Sequence, residues 1–104
     1  MGFKIIVSPQ ATQDLAEIVR YIAPDNPAAA EKLGLQLCDQ LLLLENFPRL
    51  GCVVPEFKLE HVREIIFKSY RIVYGVNDES RSIEVFHFWD GRHGSPDLPP
   101  GSIA

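Results

Sequence analysis

The chain has 104 residues, enough for one hydrophobic core and too few for two. Its 46% hydrophobic and 23% charged residues place it among folded globular domains and exclude intrinsic disorder. A formal charge of −4 and a sequence pI near 5.2 have the wrong sign for a protein that lives on polyanions, because nucleic-acid binders carry a basic balance or a segregated basic stripe.

Residues 3–7 alternate as a short strand with Phe3, Ile5 and Val7 on one side. Ser8 followed by Pro9 signals a helix start, since the hydroxyl can cap free amides and proline suits the first helical position. The spacing of Ala11, Leu15, Ile18, Val19 and Ile22 predicts an amphipathic helix reaching residue 23. Pro24-Asp25-Asn26-Pro27 ends it. A second helix is expected over residues 27–47, with Ala30, Leu33, Leu37, Leu41 and Leu44 on its buried face. Leu35, Cys38 and Leu42 widen that apolar face, so the helix is either buried on two sides or offers surface to a partner. Residues 51–60 have no period and read as an irregular connector. Three strands follow, over residues 62–67, 70–76 and 82–89, with short turns at 68–69 and 77–81 that make an antiparallel meander. Residues 94–104 are rich in Pro and Gly and read as a loosely packed tail behind a single domain of residues 1–93. The order β-α-α-β-β-β predicts an α+β fold in which a helical hairpin covers one face of a small, mainly antiparallel sheet.

No segment approaches the roughly 20 apolar residues of a membrane span. The N-terminal segment lacks a secretory pattern, which points to the cytoplasm. Two cysteines, Cys38 and Cys52, make no disulfide framework. No His, Cys or carboxylate set has metal-ligand spacing, and no Gly-rich phosphate loop, nucleophile elbow or helix-turn-helix pattern is present. No cofactor or metal is therefore expected.

The chemistry that remains lies on the strands, where arginines and a histidine interrupt apolar runs. If the faces carrying Arg63, Arg71, His87 and Trp89 coincide, the sheet surface opposite the helices would hold them together, with Arg92 at its edge. Such a set could grip a phosphate and offer an imidazole for proton transfer, with Arg71, His87 and Arg92 as the catalytic candidates. The competing reading is structural: Arg63 has Glu60 and Glu64 nearby, Arg71 could pair with Glu84, and a lone strand histidine is commonly a hydrogen-bonded structural residue.

The segments SPQATQDLAEIVRYIA, DNPAAAEKL, FPRLG, VREIIFKSYRIVYGV and WDGR, in this order and spacing, resemble the RelE/ParE toxin superfamily across nearly the whole chain. The resemblance implies the toxin of a type II toxin–antitoxin (plasmid stabilisation) system, bound and neutralised by a cognate antitoxin. It also implies assembly as a homodimer or a toxin–antitoxin hetero-oligomer. Antitoxin binding would use the surplus apolar girth of the second helix at Leu35 and Leu42, and Arg63, Arg71, His87, Trp89 and Arg92 are the further partner-binding candidates. Ribosome-dependent messenger RNA endoribonucleases of the RelE branch carry lysines before the YR-hydrophobic-VY segment, two arginines, and a tyrosine near the C-terminus. Here Arg71 and Arg92 match the arginines, but the lysine positions fall on Val62 and Glu64 and the tyrosine position on Leu98. An acid and a neutral group in place of cations remove charge stabilisation and repel RNA. The chain is therefore more similar to the ParE branch, which inhibits DNA gyrase by binding. A RelE-type ribonuclease and a non-toxic scaffold of the same fold are the alternatives.

Overall fold

A computed structural model describes residues 2–91. Arg92 and the 94–104 tail lie outside the described residues. The elements are β1 (Lys4–Val7), α1 (Pro9–Ile22), α2 (Pro27–Leu44), β2 (Cys52–Val53), β3 (Val62–Phe67), β4 (Tyr70–Asn77) and β5 (Ser82–Asp90). Both helix starts follow the capping chemistry of the sequence. The Ser8 hydroxyl accepts from the Ala11 N–H at 3.0 Å, Asn26 Oδ1 accepts from the Ala29 N–H at 3.0 Å, and each cap precedes a proline at the first turn.

The five strands form one sheet in the order β1-β5-β4-β3-β2. β3, β4 and β5 are the expected meander, while β1 lies parallel to β5 at one edge, with Lys4 opposite Ser82 and Val7 opposite Val85. The hairpin register pairs Phe67 with Tyr70 and Ile65 with Ile72. These residues, with Tyr74, Val76, Ile83, Val85 and Phe88, make the sheet side of the main core. Leu33, Leu37, Leu41 and Leu44 of α2 and Ala11 of α1 close that core from the helical side. The predicted buried face of α2 is thus the observed one.

Three departures have local causes. α2 stops at Leu44 and not at residue 47, because the Glu45 carbonyl turns to accept the Phe3 N–H at 2.7 Å. The expected connector contains the two-residue edge strand β2, paired with Arg63 and Glu64 of β3. Cys38 is exposed and not part of the core, since α2 buries only one face. Leu35 and Leu42, each about one helical turn away from it, are each 60% exposed, so this helix is not buried on two sides within the chain.

The sheet face opposite the helices is also covered. Alternation puts Val62 and Val73 on that face, and a β-bulge between Val73 and Tyr74 leaves Phe86 without a direct partner in β4. Phe86 swings over Gly75, where a Cβ would stand 2.8 Å from its ring. Val54, Val62, Val73 and Phe86 form a second core, sealed by Phe57 and Leu59 of the 54–61 segment. An aperiodic stretch is therefore a strap held by its own apolar anchors.

Candidate functional site

Arg71 stands on the strap-covered face of β4, opposite Trp89 in β5 and Ile66 in β3. All three of its guanidinium nitrogens donate into a carboxylate clamp. Glu56 of the strap accepts from Nη1 and Nη2, each at 2.7 Å, and Glu64 of β3 accepts from Nε. The Arg71 side chain is 15% exposed. The Glu56 hydrogen bonds, more than those from Glu64, hold its pKa above the usual arginine range. The expected partner Glu84 is not used, because the register places it opposite Gly75, four residues along β4. Two carboxylates around one guanidinium leave a local excess of negative charge, which repels a phosphate.

Arg63 does not join this group. The hairpin register sets it opposite Tyr74, on the helix-side face, so the expectation of two arginines on one surface is overturned by strand parity. Its guanidinium donates to the Gly51 carbonyl at 2.9 Å, the Glu60 carbonyl at 3.1 Å and Glu60 Oε1 at 3.0 Å, which ties β3 to both neighbouring loops. Gly51 is pinned a second time: its N–H donates to the buried Tyr74 hydroxyl at 2.9 Å. Burial pushes the Tyr74 phenol up from its ordinary pKa. A Cβ at position 51 would stand 2.3 Å from the Glu64 carbonyl oxygen, so only glycine fits there. Arg49 completes the brace by holding Glu60 and Asp78, each at 2.8 Å. Its hydrogen bonds lower both carboxyl pKa values.

His87 is buried opposite Val73, and its Nδ1 lies 3.0 Å from Asp14 Oδ2 of α1. The same oxygen accepts the Phe88 N–H at 3.3 Å, and Gln10 donates to the other oxygen at 2.8 Å. The imidazole edge meets the Trp89 ring, with centroids 5.7 Å apart. Of the predicted site residues, Arg71, His87 and Trp89 share a face, Arg63 is turned away, and Leu35 and Leu42 lie on the exposed side of α2. Glu56 and Asp14 are the partners that sequence reasoning missed. Neither is periodic with the residue it holds, and Asp14 is separated from His87 by 73 positions.

The positions that would carry cations in a ribonuclease are thus spent otherwise. Val62 is fully buried in the second core, and Glu64 clamps Arg71. A family model described as the ParE toxin of the type II toxin–antitoxin system parDE matches residues 5–94. The chain belongs to the ParE toxin family. Two solved structures share the fold at low sequence identity. One is the chromosomal ParDE toxin–antitoxin system from P. aeruginosa, with a TM-score of 0.70, 16% identity, and coverage of 85% of this chain and 95% of that one. The other is the toxin–antitoxin complex RelBE2 from Mycobacterium tuberculosis, with a TM-score of 0.65, 15% identity, and coverage of 86% and 99%. No curated protein matches the sequence. Among the described residues of this ParE-family chain, no helix is long and apolar enough to cross a membrane.

Proposed function

We propose that this ParE-family toxin stops growth in the cytoplasm by binding DNA gyrase, catalyses no reaction itself, and is neutralised by a cognate antitoxin. The observation that carries this reading is the carboxylate clamp on Arg71. An arginine that would stabilise a phosphoryl transition state instead donates from all three guanidinium nitrogens to Glu56 and Glu64, and the strap packs on the neighbouring part of its face. Electrostatic catalysis needs donors aimed at developing charge, and here they are aimed at internal acids. The exposed stripe of Leu35, Cys38 and Leu42 on α2 supports antitoxin docking by an amphipathic segment.

The test is expression without antitoxin. Growth arrest with DNA damage, together with inhibition of purified gyrase and intact ribosome-bound messenger, is the expected outcome. Messenger cleavage in the ribosomal A site would overturn it. A RelE-type ribonuclease is favoured by one observation, the imidazole of His87 oriented by Asp14. Cleavage that survives alanine replacement of Arg71, His87 and Arg92 would eliminate that alternative, and absence of any growth defect would favour the non-toxic scaffold.

A further inference from the structure

Large apolar side chains are gathered along the outer side of α2 and the turn that follows it. Leu35, Leu42, Leu43, Phe47 and Leu50 are each between 44% and 61% exposed. Scattered exposed leucines need no explanation, whereas a concentration of them along one element marks a surface that another molecule covers. Leu35 and Leu42 stand two turns apart and so project from the same side of the helix.

Charge is laid along that same side. Glu31 lies one turn before Leu35 and Asp39 one turn after it, so acid, leucine, acid and leucine follow one another along α2. Both acids are exposed, and among the described residues neither has an ion-pair partner. Lys32 is the sole cation of α2 and stands near its N-terminus. The last turn carries no basic residue and is capped by Glu45, where the helix already presents the negative end of its dipole.

These charges select among occupants. A second copy pairing its stripe antiparallel would set Leu35 against the other Leu42 and bring Asp39 beside its own equivalent. A parallel pairing would set Glu31 on Glu31 and Asp39 on Asp39. Like charges so placed repel. An anionic membrane surface meets the same repulsion. An amphipathic helix with lysines or arginines beside its apolar residues covers the same leucines and turns each acid into an attraction.

We infer that the Glu31–Leu35–Asp39–Leu42 stripe of α2 seats a partner helix whose apolar residues are flanked by basic ones. This takes its surface from the antitoxin-docking reading above and adds the charge that the docked segment carries.

Two synthetic amphipathic peptides of about 18 residues test it. They share one leucine stripe and differ in carrying lysine or glutamate beside it. Fluorescence anisotropy follows their binding to the full chain, and sedimentation gives the oligomeric state of the chain alone. The lysine peptide should bind saturably and about tenfold more tightly than the glutamate peptide, with the preference shrinking at high salt. The double variant Glu31→Lys/Asp39→Lys, changed at exposed positions, should erase or reverse that preference and leave the melting temperature unchanged. Leu35→Ser/Leu42→Ser should abolish binding of both peptides. Equal affinities, tighter binding of the glutamate peptide, binding of neither, or a preference untouched by the charge variant overturns the inference. A dimer of the chain alone that Leu42→Asp dissociates gives the stripe to a second copy and also overturns it. The antitoxin reading fails separately: antitoxin rescue that survives Leu35→Ser/Leu42→Ser would move the antitoxin elsewhere, while the stripe keeps its preference for a basic helix.

Discussion

Replacing Glu64 with Gln tests whether the Arg71 clamp is a structural device or surface decoration. The Glu64 side chain is 9% exposed and that of Arg71 15%, so the bond between them is little screened by solvent. A charge-assisted hydrogen bond contributes about 1.5–3 kcal/mol, and the retained Glu56 contacts keep Arg71 from becoming an unpaired buried charge. The expected loss for Glu64→Gln is therefore about 2 kcal/mol, or a fall in Tm of roughly 8–16 °C for a domain of this size. Glu64→Lys sets two cations against one acid and should cost about 3–5 kcal/mol. The double variant Glu64→Gln/Arg71→Met should lose less than the sum of its single changes, with a coupling of about 1–3 kcal/mol. Urea and thermal melts of the four proteins measure the cycle. If Glu64→Gln melts within about 2 °C of the parent, the pair is worth no more than an exposed ion pair and the reasoning fails.

Tyr74→Phe leaves the Gly51 N–H without an acceptor and should cost about 1–3 kcal/mol in chemical denaturation. Because burial raises the Tyr74 pKa above 10.0, the unfolded phenol ionises first. Stability is then full below pH 10 and declines as pH rises further, and Tyr74→Phe should remove that part of the alkaline decline. Arg49 lowers the carboxyl pKa values of Glu60 and Asp78 from 4.5 and 3.8. Its contribution is present above those values and lost as pH falls through the lowered ones, so Arg49→Gln should destabilise at pH 7 and match the parent in strong acid. Leu35→Ser with Leu42→Ser removes apolar surface that is already exposed, so stability should shift by less than about 0.5 kcal/mol. Rescue of growth by the antitoxin should be lost, and a rescue as complete as with the parent would move the docking surface elsewhere.

The elements that were legible in the sequence are those whose periodicity is local. The buried face of α2 and the spans of β3, β4 and β5 follow from apolar spacing, and Ser8-Pro9 marks its helix start by chemistry confined to one turn. The side on which Arg63 lies depends instead on register. The two-residue turn at Lys68-Ser69 pairs Phe67 with Tyr70, which makes Arg63 and Arg71 face opposite ways. That parity follows from the turn length, which apolar spacing alone does not fix. The strap was not legible, because Val54, Phe57 and Leu59 follow neither period and are ordered only by the second core they help to build. Asp14 was hidden for a related reason: a helix carboxylate looks solvated until the end of β5 is laid beside it.

The parallel pairing of β1 with β5 also fixes when this protein becomes complete. Lys4 finds its ladder partner at Ser82 and Val7 at Val85, so β1 cannot pair until β5 has been synthesised. Contacts of such sequence separation slow folding more than they weaken the product. A nascent chain therefore passes through an interval in which its helices exist while the edge of its sheet is unfinished. For a chain of the ParE toxin family, that delay separates the synthesis of the helices from the completion of the sheet edge.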